Sequence, residues 1–222
     1  MGKLIVIEGV SDGVGKSTQV KELYNKLCCE GYDVFYHHFP SYGEVSASLV
    51  EAYLAGEFGS KEELNAYAIS SFYAMDRFCV YNAKLKKILD SDEKIVLLDR
   101  YTTSNLIYQG SFFEGKERDN FLEYISDYEY NKLGLRKPDL VIFLKMDKEL
   151  ANDLREKHNK SFDINEKDIN FLDRVFYNSL YVANKYEFEV VECSKDGNLK
   201  SIDEISNNIY SIIKEYLLNN NK

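Results

Sequence analysis

The chain has 222 residues, with 37 Asp or Glu against 28 Lys or Arg, so its formal net charge is −9. A general nucleic-acid-binding protein needs an excess of Lys and Arg against phosphate, and this balance argues against that class. The length suits one α/β domain, which we expect over residues 1–222. The sequence shows no signal-peptide layout, no apolar stretch that could span a bilayer and no CxxC spacing, so we expect a cytoplasmic protein without a membrane partner.

Short apolar runs rich in β-branched residues alternate with longer helical patterns. The predicted strands, in chain order, are Lys3–Glu8, Asp33–His38, Lys94–Asp99, Asp139–Lys145 and Glu187–Cys193. The predicted helices are Lys16–Gly31, Gly43–Ala55, Ser60–Leu89 with a break near Leu64–Ala68, Thr103–Gln109, Gly115–Asp127, Lys148–Lys157, Glu166–Tyr186 and Ser201–Leu218. This alternation is typical of a parallel sheet with helices on both faces, so we predict an α/β fold with five parallel strands.

A glycine-rich segment joins the first predicted strand to the first predicted helix, and it reads Gly-Val-Ser-Asp-Gly-Val-Gly-Lys-Ser-Thr over residues 9–18. Glycines allow positive φ and bring backbone N–H groups against phosphate oxygens, and the helix N-terminus adds partial positive charge. We expect Lys16, on an exposed loop edge, to reach the β- and γ-phosphates of ATP, and the Ser17 hydroxyl to bind Mg²⁺. The residues predicted to hold the triphosphate are Gly13, Val14, Gly15, Lys16, Ser17 and Thr18.

The loop is one residue longer than the usual pattern. Five residues separate Gly9 from Gly15, where phosphate loops of this kind usually have about four. The loop therefore either carries a bulge near Val10–Ser11 or is framed by a residue other than Gly9. The half that binds phosphate, from Gly13 to Ser17, is intact, which predicts a P-loop NTP hydrolase fold.

An acidic residue, Asp99, ends the third predicted strand and is followed by Arg100. Folds with a phosphate loop place a carboxylate of the Mg²⁺ site at such a position. Arg100 then lies at the carboxyl edge of the sheet, where ligands bind in open α/β folds. GTPases are excluded because the nearest match to their Asn-Lys-x-Asp, at residues 184–187, precedes a strand, and protein kinases are excluded because no His-Arg-Asp loop occurs.

Nearly the whole chain resembles the thymidylate kinase family. The stretches that carry the resemblance are the phosphate loop, Phe39-Pro40, Tyr-Ala-Met-Asp-Arg at 73–77, Asp-Arg-Tyr-Thr-Thr-Ser-Asn at 99–105, Tyr108-Gln109 and Lys-Pro-Asp-Leu-Val at 137–141. The resemblance implies that the γ-phosphoryl group of ATP is transferred to the 5′-phosphate of dTMP, giving dTDP. It also implies a five-stranded parallel sheet and a homodimer built from helices.

The resemblance further implies roles for single residues around the acceptor's base and sugar. Asp12 matches the acidic residue that reaches the 3′-hydroxyl of the sugar. Tyr73 takes the place of an aromatic residue, more often Phe, that stacks on the pyrimidine. Phe39 matches a residue that packs against the base. Asn105 and Tyr108 match residues near the base and sugar.

Two arginines match residues that bind the acceptor. Arg77 lies one helical turn after Tyr73 and matches the arginine that reads the base and the acceptor phosphate. Arg100 matches a second phosphate-binding arginine. A planar guanidinium group suits phosphate because it donates two parallel hydrogen bonds.

The chain departs from the family pattern at two places. Many relatives carry an arginine just after Phe-Pro, where this chain has Ser41-Tyr42. Relatives place a catalytic arginine in the phosphate loop or in a lid, and because this loop has none, we expect Arg155, with Lys157 and Lys160, to act from a short lid at about residues 155–167. Arg174 is the second choice. The polar composition of this segment fits a plain surface turn equally well. Expected catalytic residues are therefore Lys16, Asp12, Arg100 and Arg155.

Three alternative functions remain open from the residues alone. A deoxynucleoside kinase phosphorylates a sugar hydroxyl and needs a carboxylate base, for which Glu8 is the candidate, although the phosphate-binding arginines would then have less purpose. A kinase of relaxed specificity would act on another pyrimidine monophosphate at the same site. A nucleotide-binding regulator without transfer activity is supported only by the longer loop and the sparse lid arginines.

Overall fold

The structure, a computed structural model, describes residues 1–10, 15–59, 63–91, 93–158, 165 and 168–219, with the backbone alone at 155, 156 and 158. The strands of the main sheet are β1 Lys3–Gly9, β2 Asp33–His38, β3 Lys94–Asp99, β4 Leu140–Lys145 and β5 Glu189–Glu192. Their order is β2-β3-β1-β4-β5, and all neighbouring strands are parallel. The predicted α/β fold with a five-stranded parallel sheet is confirmed.

The helices follow the predicted order along the chain. They are α1 Lys16–Cys29, α2 Ser48–Leu54, α3 Ala66–Val80, α4 Lys86–Leu89, α5 Thr102–Tyr108, α6 Gly115–Ser126, α7 Lys148–His158, α8 Ile169–Lys185 and α9 Ile202–Asn219. Single π-helical turns, Tyr81–Leu85 and Asp127–Lys132, follow α3 and α6, and 3-10 turns lie at Val45–Ala47 and Gln109–Phe112. Within the described part of the chain, none of these helices combines the length and the apolar character needed to cross a membrane.

The central strand β1 is buried on both faces, which explains its continuous apolar run. Its side chains from Leu4 to Ile7 have no exposed surface. Leu4 and Val6 pack in one hydrophobic cluster with α3 and α4. Ile5 and Ile7 pack on the other face in a cluster with α1, α8 and α9. Helices therefore cover both faces of the sheet. A ligand can approach the sheet at its carboxyl edge, where Ile7 of β1 pairs with Asp99 of β3.

The helix expected from Ser60 begins later, at Ala66, which falls in the expected break near Leu64–Ala68. The Asn65 Oδ1 accepts a hydrogen bond of 2.8 Å from the backbone N–H of Ala68. An Asn at this position satisfies a backbone donor that has no partner inside the helix, and it therefore marks the helix start. Residues 60–62 lie outside the described residues.

The predicted lid, at about residues 155–167, lies mostly outside the described residues. The backbone at 155–158 forms the last turn of α7, and the lid itself stays a prediction. The next helix, expected from Glu166, is described from Ile169, and Asp168 Oδ1 accepts a hydrogen bond of 3.0 Å from the Phe171 N–H. A short hairpin of β6 Ser194–Lys195 and β7 Asn198–Leu199 follows the sheet and was not predicted.

Candidate active site

The phosphate loop leads from β1 into α1 at the carboxyl edge of the sheet. Gly15 precedes α1 with a φ of 77°, in the left-handed region that glycine adopts with least strain. A Cβ at Gly15 would meet nothing within 4 Å, so the backbone conformation, not the space, requires glycine. No described side chain caps α1, so its first N–H groups are available to an anion. Asp12, Gly13 and Val14 lie outside the described residues, and their contacts stay predictions.

Lys16 and Ser17 lie beside the carboxylate that ends β3. The Lys16 Nζ is 2.6 Å from Asp99 Oδ1, and the Ser17 Oγ donates to Asp99 Oδ2 over 3.4 Å. The Nδ1 of His38, at the end of β2, is 3.3 Å from the same Oδ2. Lys16 is only 6% exposed, so the expectation of an exposed loop edge was wrong, because the ion pair draws the side chain onto a buried carboxylate.

Asp99 is an ionised carboxylate in a buried position. Burial alone would raise the pKa of Asp99, but the hydrogen bond from His38 and the positive charges of Lys16 and its neighbours hold that pKa well below its usual range. A carboxylate held ionised beside the start of α1 can accept hydrogen bonds from metal-bound water or bind the metal directly.

The donor atoms at this end fit a magnesium ion that is bound together with a nucleotide. Mg²⁺ prefers hard oxygen ligands and keeps several waters, and the Ser17 hydroxyl and Asp99 carboxylate are such ligands. Among the residues that the structure describes, no cluster of three or more His, Cys, Asp or Glu side chains could hold a metal on its own. The site therefore suits a metal that arrives with phosphate oxygens, and the roles of Ser17 and Asp99 in binding it stay predictions.

A cleft of about 660 Å³ lies at the carboxyl edge of the sheet, where Arg100 follows β3. The described residues that the sequence predicts for the acceptor all line it: Phe39, Tyr73, Arg77, Arg100, Asn105 and Tyr108. They come from the end of β2, from α3, from the end of β3 and from α5, so only the fold brings them together. Aromatic rings and guanidinium groups in one cleft suit a ligand with a flat base and an anionic group.

Arg100 is held in a strained backbone conformation at the mouth of this cleft. Its φ of 70° lies in the left-handed region, which costs a residue with a side chain about 1–2 kcal/mol. The Arg100 N–H donates to the Ile7 carbonyl over 3.1 Å, and the guanidinium lies 5.1 Å from the centre of the Tyr108 ring. This conformation turns the side chain toward the cleft, where Arg100 is 8% exposed.

Glu8, at the end of β1, anchors the segment that carries Arg100. Its Oε1 accepts hydrogen bonds from Thr103 Oγ1 at 2.6 Å, from Ser104 Oγ at 2.7 Å and from the Tyr101 N–H at 3.4 Å. Its Oε2 lies 4.0 Å from Arg100 Nη1 and accepts no hydrogen bond from the described residues. Glu8 therefore orders the start of α5 below Arg100.

The cleft floor contains a buried ion pair that was not predicted. Arg77 is 1% exposed and Glu129 has no exposed surface. The Arg77 Nε and Nη2 donate to the two oxygens of Glu129 at 2.7 and 2.8 Å, and Asn105 Nδ2 donates to Glu129 Oε1 at 2.8 Å. Burial raises the pKa of Glu129, and the Arg77 charge opposes that rise. Arg77, which the sequence predicts to bind the acceptor, is thus also part of the core.

A sequence signal for Glu129 existed. Phe121, Ile125 and Glu129 follow one another at intervals of four residues, so Glu129 continues the buried face of α6. A carboxylate on an apolar helix face needs a buried positive partner. The sequence could therefore have predicted that Glu129 forms a buried ion pair, but it could not have predicted that the partner is Arg77.

The segment after Phe39-Pro40 is held by a second carboxylate. Asp76 Oδ2 accepts from the Ser41 N–H over 2.8 Å, and its Oδ1 accepts from Ser46 Oγ over 2.6 Å. The Ser41 Oγ is 2.9 Å from His37 Nε2. Ser41, at the position where the sequence departs from the family pattern, therefore binds α3 through its backbone N–H, while its hydroxyl contacts His37.

The lid-side residues are only partly described. Arg155 belongs to the last turns of α7, and its side chain lies outside the described part of the structure. Arg174 is exposed on α8, with its guanidinium 5.8 Å from the centre of the Phe171 ring. Asn165, which was not predicted, lines the cleft and accepts a hydrogen bond of 3.0 Å from the Tyr53 hydroxyl.

The contact between Lys16 and Asp99 lies at the start of α1, and a cleft with two arginines and aromatic walls lies at the same edge of the sheet. This is the arrangement of a P-loop nucleotide kinase, the class that fold and site define. The family model for thymidylate kinase matches residues 7–209. The thymidylate kinase of Pelotomaculum thermopropionicum is 32% identical over 205 residues, covering 91% of this chain and 90% of the relative. That of Mycobacterium tuberculosis is 33% identical over 151 residues, covering 68% of this chain and 69% of the relative.

A solved structure is similar over nearly the whole chain. The thymidylate kinase of Candida albicans has a TM-score of 0.73 and 25% identity, covering 96% of this chain and 92% of that one. The chain therefore belongs to the thymidylate kinase family. This confirms the predicted family and the predicted enzyme class.

Proposed function

We propose that the chain transfers the γ-phosphoryl group of ATP to the 5′-phosphate of dTMP, with dTMP in the cleft described above. The observation that carries the proposal is that Arg77 and Arg100 line the same cleft as the rings of Phe39, Tyr73 and Tyr108. An acceptor with both a flat base and a phosphate matches the rings and the arginines, whereas a nucleoside leaves the arginines without a phosphate.

The chemistry needs no general base. The acceptor phosphate is already anionic near neutral pH, because its second pKa is about 6. One of its oxygens bonds to the γ-phosphorus while the bond from that phosphorus to the β-phosphate oxygen breaks, leaving dTDP and ADP. The task of the protein is to hold two polyanions in line and to neutralise their repulsion.

Each charged residue has a place in this task. Lys16 binds the transferring end of ATP, while Arg77 and Arg100 hold the acceptor phosphate and the base edge. Ser17 and Asp99 would hold Mg²⁺, which would supply positive charge against the negative charge that develops on the transferring phosphoryl group. The residues from Gly13 to Thr18 cradle the triphosphate with backbone N–H groups, and Asp12 accepts a hydrogen bond from the sugar 3′-hydroxyl.

Arg155 supplies the remaining cation from the ATP side in this proposal. Its support is elimination: the phosphate loop has no arginine, and the other arginines near the site are used by the acceptor. Arg155→Ala should raise the KM for ATP or lower kcat while it leaves the KM for dTMP unchanged. Wild-type ATP kinetics in this variant would remove Arg155 from the mechanism and favour Arg174.

The rival functions have no specific support in the site. A deoxynucleoside kinase would use Glu8 as a base, yet Glu8 has no exposed surface and is not among the residues that line the cleft. A regulator without activity would bind its nucleotide through the same contacts of Lys16, Ser17 and Asp99, but it would not need Arg77 and Arg100 in a second cleft for an acceptor.

The test compares the two acceptor classes directly. Purified protein is incubated with ATP and MgCl₂ and with either dTMP or thymidine, and the products are separated by chromatography. We expect dTDP from dTMP and little dTMP from thymidine, with both products absent in EDTA. Faster phosphorylation of thymidine than of dTMP would contradict the proposal.

The chain acts as a homodimer in the cytoplasm in this proposal. Tyr67, Phe78 and Tyr124, on α3 and α6, are 37%, 36% and 41% exposed, and such aromatic side chains favour packing against a second copy. The cysteines Cys28, Cys29, Cys79 and Cys193 are all free, which suits a reducing compartment. Sedimentation equilibrium should give twice the chain mass, and a monomer mass at micromolar concentration would contradict the dimer.

A further inference from the structure

The floor of the acceptor cleft is built on a carboxylate that none of the roles above includes. Glu129 is fully buried and lies in the π-helical turn Asp127–Lys132 that follows α6. Single π-helical turns frequently occur at functional sites. A buried carboxylate costs free energy unless its oxygens are paired, so its partners indicate its purpose.

One partner is the guanidinium group of Arg77. Glu129 takes the Nε–H and one N–H of Nη2 in a planar, two-bond contact. The Nη1 group and the second N–H of Nη2 are not bound by any described residue. Since Arg77 lines the cleft, the contact with Glu129 fixes the plane of the guanidinium and leaves donors on its cleft side.

The other partner is the side-chain amide of Asn105. Its Nδ2 donates both to Glu129 Oε1 at 2.8 Å and to the Ser70 carbonyl oxygen at 3.0 Å. A carboxylate and a carbonyl can only accept, so the reversed amide would place an oxygen against two oxygens. Glu129 and Ser70 thus fix the orientation of the amide. The Asn105 Oδ1 receives no hydrogen bond from the described residues and is left as an acceptor.

A fixed donor from Arg77 beside a fixed acceptor from Asn105 matches one kind of pyrimidine edge. Thymine and uracil present an N3–H donor beside a 4-oxo acceptor, whereas cytosine presents an N3 acceptor beside a 4-amino donor. Cytosine in the same position would set donor against donor and acceptor against acceptor. Sites with buried polar groups reject such mismatches strongly, because the groups lose their partners.

We propose that Glu129 is a positioning residue that gives the cleft floor its hydrogen-bond polarity and so selects 4-oxo pyrimidine nucleotides over cytidine nucleotides. This inference rests on the proposed function, because it takes the same cleft as the acceptor site. Glu129 does not touch the base itself. It acts through the guanidinium plane of Arg77 and the amide orientation of Asn105.

The variant that tests the proposal is Glu129→Gln, which keeps the shape and adds a donor. In either orientation its amide sets an NH₂ group against a donor of Arg77, and with the nitrogen in the place of Oε1 it can also donate to a reversed Asn105 amide whose Nδ2 faces the cleft. The matched control is Glu123→Gln, an exposed glutamate on the same helix. kcat/KM is measured for dTMP, dUMP and dCMP.

We expect the preference for dTMP over dCMP to fall by roughly tenfold or more in Glu129→Gln. The dUMP value should fall together with dTMP, because both present the same edge, and the KM for ATP should not change. Glu129→Asp, which still only accepts, should keep the preference even where it slows turnover. Equal losses for all three nucleotides, with the preference unchanged, would show that Glu129 only stabilises the fold and would overturn the proposal.

Two further measurements keep the test independent of folding and of activity. In the wild-type protein, the side-chain NH₂ protons of Asn105 should exchange slowly with solvent by NMR, because both are bonded, and fast exchange would overturn the proposal. Calorimetric binding of dTMP and dCMP without ATP should show the same preference. A wild-type protein that binds dTMP selectively but does not phosphorylate it would contradict the proposed function and leave the role of Glu129 supported.

Discussion

The two ends of the proposed active site use buried charge in different ways. At the ATP end, Asp99 is shared among Lys16, Ser17 and His38, and each contact comes from a strand end or helix start at the edge of the sheet. At the acceptor end, Arg77 and Glu129 are enclosed between α3 and the π-helical turn after α6. We therefore expect a substitution at the ATP end to change activity more than stability. At the acceptor end, the same residues should affect both.

The largest effect is expected from removing one charge at the acceptor end. Arg77→Met leaves the Glu129 carboxylate buried without its cation, which should lower the free energy of unfolding by about 3–5 kcal/mol. Urea denaturation followed by circular dichroism measures the loss.

The double variant Arg77→Met/Glu129→Leu sharpens this comparison. Replacing both partners with apolar side chains should recover much of the stability but not the binding of dTMP. Stability in Arg77→Met within about 1 kcal/mol of the wild type would show that the ion pair is not part of the core.

Lys16→Ala should affect catalysis more than stability. A preorganised cation on the transferring phosphoryl group is worth several kcal/mol, so kcat should fall by at least about a hundredfold. Stability should fall by about 1–2 kcal/mol, because His38 and Ser17 remain as partners of Asp99.

Lys94→Ala is the matched control for Lys16→Ala, since Lys94 begins β3 at the opposite end of the same strand and pairs with Asp33 at 2.9 Å. It should leave kcat unchanged. Near-normal turnover in Lys16→Ala with a normal melting curve would refute the assignment of the phosphate loop.

The smallest effect is expected at the magnesium site. Asp99→Asn removes a negative charge but keeps a hydrogen-bonding group, so the Mg²⁺ concentration for half-maximal activity should rise by about tenfold. Steady-state rates across a Mg²⁺ titration measure this shift. Asp33→Asn is the control and should leave the Mg²⁺ titration unchanged. If Asp99→Asn also left it unchanged, Asp99 would be a strand-end residue without a metal role.

The sequence by itself determined the sheet and the place of Lys16 and Ser17 at its carboxyl edge. Continuous apolar runs predicted all of the main strands, because a parallel sheet covered on both faces excludes polar residues from its centre. The phosphate loop is local in sequence, so the positions of Lys16 and Ser17 at the start of α1 follow from the order strand, glycine-rich loop, helix. Spacing and family resemblance also predicted the candidate acceptor residues, and the fold gathers those that the structure describes in one cleft.

Only the tertiary structure decided which charges pair. Arg77 and Glu129 are separated by 52 positions along the chain, and Lys16 and Asp99 by 83, so no local pattern states that they meet. The burial of Lys16 was not predicted for the same reason, because its side chain pairs with Asp99, which is distant in sequence. The positions of donors and acceptors at the cleft floor also depend on tertiary structure, because Glu129 and the Ser70 carbonyl both accept from the Asn105 amide. Only such partners fix which way a side-chain amide is oriented.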